Sequence, residues 1–473
     1  MTSLSPTTET VSTTGNAGKA ASYRGPFAIM TSLFFIWGFM TVWNDILIPR
    51  FKEAFTLNYF EAMLVQLAFF GAYFIGSLLY FIISATSGDP IAKIGYKNAI
   101  VIGLLMSAFG SLLFWPAASL ISYPLFLIAL FVVGLGFAVL QIAANPYVTI
   151  LGPEKTASSR LNLAQGFNSV GTTLGPLIGG YLIFQYFNKA GANGAESVKV
   201  PYLAFCIVFL ILAVVFYFVH LPHVGEGNIE KGAQALKYPH VVLGVIAIFM
   251  YVGGEVSIGS SIISFLGQKS IAGLTPVEAS KFVSLFWGGM LIGRFMGATE
   301  LSEVRSWVKQ LILAVLPILA FAVLTIWMGW QVSRNYLPIL FACWLLFQFG
   351  KSNDARTLTI FMAAIVVLLS TAIFAGGMVA MWCVVGVGLF SSIGWSNTFS
   401  LALEGTGIYK SQVSSLLVAA ILGGAILPPT WGHIADVGNP QIAYIVPLIA
   451  YAYVGFYGLK GHSVGRKRTS EAV

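Results

Sequence analysis

Asp45, in the stretch TVWNDILIPR (41–50), lies inside an apolar run that begins at Phe27, and Glu255 lies near the middle of another. An ionised side chain at a helix centre in hydrocarbon costs about 2.5–3.5 kcal/mol, so such a group must face protein, water or a ligand. A carboxyl held away from cations favours its neutral form, which makes it a group that can take up and release a proton. Polar residues recur around these two acids at helical spacing. Trp37, Thr41, Asn44 and Asp45 fall at i, i+4, i+7 and i+8, and Gln141, Asn145 and Thr149 at i, i+4 and i+8. Asn162, Gln165, Asn168, Ser169 and Thr172 form a third polar face, opposite Leu163 and Leu174. Glu255 stands with Ser257, Ser261, Ser264 and Gln268, while Ser391, Ser392, Trp395, Ser396 and Asn397 form a further cluster and Trp287 adds another indole. Taken singly, an Asn, Gln or Ser here reads as a helix-to-helix hydrogen bond, each Trp as packing, Glu255 as half of an ion pair and Asp45 as an interfacial carboxylate beside Arg50. Together they fit a wet cavity. Sugars need paired donors and acceptors for their hydroxyls and an aromatic face for their C–H surface, which amides and indoles supply.

The elements that must hold these groups are membrane helices. Of 473 residues 57% are hydrophobic and 9% charged, against about 25% charged in soluble domains. Runs of 18 or more apolar residues recur between short polar breaks, each long enough to cross roughly 30 Å of hydrocarbon. Fourteen helices are expected, near 27–49, 62–83, 97–116, 123–147, 162–185, 201–220, 239–266, 280–299, 308–330, 335–349, 357–373, 377–403, 411–431 and 441–459. An all-α polytopic protein follows. The net charge of +8 lies in the loops, which removes a nucleic-acid reading. Placing the N-terminus in the cytoplasm puts most of the 25 Lys and Arg on the cytoplasmic side, so both termini are expected there. Residues 1–26 read as a disordered cytoplasmic tail without signal-peptide pattern, 221–238 as a cytoplasmic linker, and 460–473 as a basic cytoplasmic tail.

The chain also repeats itself. At an offset of 252 residues Gly134 pairs with Gly386, Gly136 with Gly388, Asn145 with Asn397, Gly171 with Gly423, Pro176 with Pro428 and Gly180 with Gly432. Two parallel repeats joined by a central linker are the architecture of the major facilitator fold, with the site between the repeats near the midplane. Bundles at 27–220 and 239–459 are expected, with two surplus spans inserted as a hairpin within 307–373. The series Gly171, Gly175, Gly179 and Gly289, Gly293, Gly297 read as close helix packing. The loop GDPIAKIGYK (88–97) reads as a charged turn or a gate latch, with Gly88, Asp89 and Lys93 as gate residues and Arg294, within a span, as their counterpart.

Several patterns carry no chemistry. GKS at 350–352 lacks the glycine a Walker A motif needs, since Leu345 occupies it, and GLG at 134–136 has no third glycine. Cys206, Cys343 and Cys383 sit in apolar runs, and the scattered histidines, HLPH at 220–223 included, form no metal set.

The strings FFIWGFMTVWNDILIP (34–49), AANPYVTILGPE (143–154), RLNLAQGFNSVG (160–171), YVGGEVSIGS (251–260) and TFSLALEG (398–405) resemble the fucose–galactose–glucose group of proton symporters of the major facilitator superfamily. The resemblance covers nearly all of 27–459 apart from the inserted hairpin. It implies a carrier rather than an enzyme, with Asp45 as the proton-linked carboxylate, Trp37 as a cavity aromatic, and Gln165 and Asn168 as cavity amides. Trp395 stands where the fucose carrier has a tyrosine, and Glu255 resembles the acidic position of the glucose and galactose branch. Gln141, in LQIAANP, replaces the fucose carrier's glutamate, which points away from fucose and leaves the cation to Asp45 with Glu255. The expectation is therefore an inner-membrane symporter of a neutral hexose, glucose or galactose first, coupled to a proton with sodium as the alternative, acting as a monomer without cofactor or resident metal. Gln141, Asn145, Gln165, Asn168, Asn44 and Asn397 would bind hydroxyls, and Trp37, Trp287 and Trp395 would form aromatic walls. The rivals are a sugar or drug exporter of the same fold and a non-transporting sugar sensor. A membrane glycosyltransferase is weaker, because no large extramembrane domain or acidic loop is present.

Overall fold

The computed structural model describes residues 24–43, 47, 51, 54–56, 59–180, 182, 194–219, 221, 232–274, 276–437 and 439–466. Among them there is no β-strand, and the chain runs as helices α1 (Arg24–Thr41), α2 (Tyr59–Ser87), α3 (Pro90–Leu112), α4 (Phe114–Ser119), α5 (Tyr123–Ile150), α6 (Ala157–Gly180) and α7 (Lys199–Phe218). After the linker follow α8 (Pro239–Leu266), α9 (Pro276–Glu300), α10 (Ser306–Met328), α11 (Trp330–Gly350), α12 (Asp354–Phe374), α13 (Gly377–Ser391), α14 (Gly394–Leu403), α15 (Lys410–Ala419), α16 (Gly423–Val437) and α17 (Ile445–Leu459). Eleven helical segments among the described residues are long and apolar enough to cross a membrane. The polar-faced α6 and α11, whose first turns carry Ser, Arg, Gln and Asn, are not among them, and α1 is shorter. Phe109, Ile211, Val214, Ile318, Val323 and Ile326 point outward, the inside-out pattern of helices whose solvent is lipid.

Local chemistry explains where elements start and bend. The stretch expected as a charged turn is a helix start instead: Asp89 caps α3, its carboxylate accepting from the backbone N–H of Ile91 at 2.9 Å, and Pro90 takes the first turn, where no N–H is needed. Gly95, at φ 80°, supplies the left-handed kink that lets α3 continue from that start into its apolar run. Gln141 and Asn145 sit on α5, which stays continuous through Pro146, whereas the corresponding segment after the linker breaks at Ser392 and Ile393 before α14 resumes.

Helix pairings recur on either side of the linker. In the first set α1 packs on α6, α2 on α5, and α3 on α5 and α7; in the second α8 packs on α16, α9 on α13, and α12 on α13 and α17. Helices α10 and α11 have no counterpart; they pack on each other and on the flank formed by α9, α12 and α13. Small residues let the partners touch. A Cβ added to Gly171 would lie 2.6 Å from the Phe39 nitrogen, and one on Gly293 would lie 2.7 Å from the Leu389 carbonyl oxygen. The internal repeat keeps its register in α6 and α16, where Gly171 meets α1 and Gly423 meets α8. In the preceding helices Gly134 faces Phe69 on α2, and Gly388 faces Phe286 on α9.

Candidate functional site

A cavity of about 150 Å³ opens where the two helix sets meet. From the first set Trp37, Gly38 and Thr41 (α1), Phe70 and Tyr73 (α2), Gln141 (α5), and Gln165, Asn168 and Thr172 (α6) line it. From the second come Tyr251, Val252 and Glu255 (α8), Arg294 (α9), Trp395 (α14) and Ile421. By helix rise Glu255 lies about 24 Å along α8, which places the cavity deep between the helix ends.

The side chains are held by one another and by carbonyls behind the wall. The indole of Trp37 donates to the Tyr73 hydroxyl at 3.0 Å, and Asn168 donates to the Phe34 carbonyl at 3.1 Å, tying α6 to α1. Close approach at Gly38 makes that possible, since an added Cβ would meet the Asn168 side-chain nitrogen at 2.7 Å. On the far wall the Tyr251 hydroxyl lies 2.9 Å from the Ser391 carbonyl and 3.4 Å from Glu255 Oε1. Arg294 crosses between the sets: its Nη1 donates to Ser169 Oγ and, at 3.4 Å, to the Gln165 carbonyl, while its Nε donates to the Ser392 carbonyl at 3.3 Å. Two buried polar atoms of the lining have no hydrogen-bond partner, Gln141 Oε1 and the indole nitrogen of Trp395. A buried acceptor and a buried donor left open in this way favour a ligand that carries hydroxyls, which can serve both.

Of the residues singled out in the sequence, the structure brings Trp37, Gln141, Gln165, Asn168, Glu255, Arg294 and Trp395 into this one cavity. Asn44 and Asp45 lie outside the described residues. Three expected binders stand elsewhere. Asn145 is fully buried with neither amide atom paired, one turn from Gln141 on a face that has wound away. Asn397, two residues from Trp395, points to the opposite side of α14; it accepts from Asn162 at 2.9 Å and donates to the Asp354 carbonyl at 3.1 Å. Trp287 shares a side of α9 with Arg294 but lies about 10 Å further along the axis, against Phe286 and Gly259. Ser257 and Ser261 direct their hydroxyls to carbonyls of their own helix. Tyr73 and Tyr251 went unmarked, though a tyrosine inside an apolar run needs a partner for its hydroxyl, and Tyr251 precedes Glu255 by one turn.

The gate grouping divides in the same way. Gly88, Asp89 and Lys93 sit at the end of the bundle that carries the linker, where the Tyr80 hydroxyl donates to Asp89 at 2.5 Å and Lys93 Nζ donates to the Ser87 carbonyl at 2.6 Å. Burial raises the Asp89 pKa from its ordinary value, opposed by hydrogen bonds from Tyr80, Ile91, Ala92 and Ser411. Arg294 is not with them; it lines the cavity, because its place well inside α9 holds it at that depth.

The linker end is closed across the two sets. Ser158 donates to the Asp354 carboxylate, Ser159 to the Ala298 carbonyl at 2.5 Å, and Asn162 to Asn397. On the other flank Gln412 donates to Ser84 at 3.2 Å and accepts from the Ala235 N–H at 2.8 Å. A larger cleft of about 1150 Å³ lies at this end, lined by Glu154, Lys155, Asp354, Glu404, Lys410 and Arg466 among others. Its balanced charges and lack of aromatic residues give it no sugar-binding character. Its wall is partly the chain's own end, for Arg466 forms an ion pair with Glu404.

An all-helical membrane chain with a polar cavity between two helix sets is the plan of a major facilitator carrier, and the model described as Major Facilitator Superfamily matches residues 27–352. The chain belongs to that superfamily: it is a multi-pass membrane transporter, not an enzyme. Within it, the chain belongs to the family that holds the glucose/galactose transporters and the L-fucose–proton symporters. It is 40% identical over 445 residues to a glucose/galactose transporter of Brucella abortus biovar 1 (strain 9-941), covering 93% of this chain and 95% of that one. It is 30% identical over 465 residues to the L-fucose-proton symporter of Escherichia coli (strain K12), covering 93% of each. The crystal structure of the transporter FucP in the outward conformation matches with TM-score 0.73 at 28% identity, over 93% of this chain and 99% of that one.

Proposed function

We propose that the chain carries a neutral hexose, glucose or galactose first, by symport with a cation through alternating access. The observation that carries this reading is the cavity lining: two indoles, three amides and two tyrosines face one space, and Gln141 Oε1 and Trp395 Nε1 are open for a hydroxylated ligand. The names of the relatives at 40% and 30% identity support a sugar, and Gln141 favours an uncharged hydrogen-bonding role at its position. A proton is the proposed coupling ion, with sodium as the alternative, and Asp45 is the coupling carboxylate that the family resemblance implies. The proposed topology is fourteen spans with both termini cytoplasmic in the inner membrane, two bundles at 27–220 and 239–459, and α10–α11 as the inserted pair. The recurrence of helix pairings with only α10 and α11 unmatched supports it. Gly88, Asp89 and Lys93 would brace the cytoplasmic gate, and the carrier would work as a monomer.

The test is uptake of radiolabelled glucose and galactose into proteoliposomes under an imposed pH gradient and, separately, a sodium gradient. Wild type is expected to accumulate hexose with acid outside, and Gln141→Leu to weaken sugar binding by about 1–3 kcal/mol through its lost hydrogen bonds. Sodium-driven accumulation would change the ion. Hexose binding without uptake or counterflow would favour the sensor.

A further inference from the structure

A separate pocket of about 460 Å³ opens at the linker end of the second helix set, lined by Arg356, Thr359 and Ile360 of α12, Gly458 and Leu459 of α17, and His462. Its described lining holds a guanidinium and an imidazole but no acid. Other cations at this end are already engaged: Arg160 donates to the Val148 carbonyl at 3.1 Å, Lys309 Nζ to the Glu300 carbonyl at 2.6 Å, and Arg466 pairs with Glu404. Arg356 differs. Its backbone N–H is bonded to the Asn353 side chain at 2.8 Å, but among the described residues no hydrogen bond or ion pair engages its guanidinium. It stands in the first turn of α12, where the helix dipole disfavours a cation and favours an anion beside it. The acid of that turn, Asp354, is turned to Ser158 across the seam. The pocket also has an apolar continuation. Arg356, Ala363, Val367 and Phe374 are exposed at i, i+7, i+11 and i+18 of α12, and Ile449, Ala452, Phe456 and Leu459 at i, i+3, i+7 and i+10 of α17. Both stripes face lipid, and both end at the pocket.

We propose that this pocket binds the headgroup of an anionic phospholipid, with Arg356 as its charge partner and the acyl chains lying along the exposed stripes of α12 and α17. The ligand is amphipathic because the site is. A soluble anion would use the guanidinium but leave Ile360, Leu459 and the stripes without a partner. A zwitterionic lipid would bring an ammonium group beside Arg356, with no acid in the described lining to receive it. The Tyr457 carbonyl can only accept, so His462 Nδ1 donates to it at 3.3 Å and the ring is fixed at the edge of the pocket. The helices that form the walls are in close contact, for a Cβ added to Gly458 would lie 3.1 Å from the Thr359 nitrogen. The site lies two residues from Asp354, whose carboxylate accepts from Ser158 and whose carbonyl accepts from Asn397. A headgroup on Arg356 therefore holds α12 to α17 at the base of the closed seam, and a ligand that binds the folded chain raises its stability. The inference does not depend on which sugar or ion is carried.

The experiment adds phosphatidylglycerol or phosphatidylcholine with the same acyl chains to the full chain in detergent. It reads lipid retained per protein by native mass spectrometry, together with the melting temperature, and uses glycerol 3-phosphate as the headgroup without chains. Wild type is expected to prefer phosphatidylglycerol about fivefold or more, and Arg356→Gln to lower that preference about fivefold, the effect of one cation on an anionic lipid. Arg356→Lys should keep most of it, and Lys155→Gln, exposed at the same end but outside the pocket, should leave it unchanged. Equal retention of the two lipids by wild type overturns the inference, as does a wild-type preference in Arg356→Gln. A fall of the same size in Lys155→Gln makes the preference a property of the whole basic end and overturns the site. Glycerol 3-phosphate raising the melting temperature as much as phosphatidylglycerol assigns the pocket to a soluble anion and overturns the lipid. Should Arg356→Gln fail to fold, Leu459→Glu brings a carboxylate to the pocket from an exposed position: a lost preference supports the site and a kept one overturns it.

Discussion

The amide pair Asn162–Asn397 offers a direct way to weigh the closed linker end. Asn162 Nδ2 donates across the seam to Asn397 Oδ1 at 2.9 Å, and both residues are fully buried. In Asn162→Ala the crossing bond disappears and Asn397 Oδ1 is left buried without a donor, which costs about 1–3 kcal/mol. That cost falls on the closed state, because separation of α6 from α14 wets the amide. The ratio of open to closed linker end should therefore rise by about 5- to 150-fold. Asn397→Ala strands the Asn162 amide in the same way and also removes the bond to Asp354. The double variant strands neither partner, so it should lie nearer to wild type than the sum of the singles, since removing both members of a buried pair is close to neutral. The assay is the distance distribution between spin labels at Lys155 and Lys351, exposed positions on opposite sides of the seam. Additive single effects, or Asn162→Ala shifting the populations less than about twofold, would refute the argument that this bond holds the two sets together.

Two further expectations concern packing and protonation. On α9 nothing lies within 4 Å of a Cβ added at Gly288, so Gly288→Ala should gain about 0.8–1.0 kcal/mol of helix propensity. Gly293→Ala sets its Cβ 2.7 Å from the Leu389 oxygen, so α13 must yield by several tenths of an ångström, and overpacking of about 1–3 kcal/mol should offset that gain. Melting temperatures of the two variants in detergent should differ in that order, and equal values would contradict the close approach. Asp89 has its pKa raised by burial. Its contribution to stability is thus full below the ordinary Asp pKa and is lost as pH rises through the raised folded value. Asp89→Asn keeps an acceptor for the Ile91 N–H and removes the ionisation, so the melting temperature of wild type relative to this variant should fall as pH rises above the ordinary Asp value of 3.8. Parallel pH profiles would show that the carboxyl does not feel its burial.

The all-helical membrane character and several of the cavity residues were legible in the sequence, and the places where it fell short have geometric causes. A side chain every fourth residue advances 400° round a helix, so a stripe drifts by about 40° per step. One step, from Trp37 to Thr41, stays within the cavity, but Asn145, about 6 Å beyond Gln141 along α5, is already buried in packed protein. Trp395 and Asn397 differ by about 200°, so a single cluster in the sequence divides into a cavity wall and a tie across the seam. Arg294 shows the opposite error. Expected among the gate residues, it lines the cavity while bonded to α6, and both descriptions meet in one side chain. No periodicity could reveal this, because Ser169 and Arg294, 125 residues apart, are brought together only by the contact between the two helix sets.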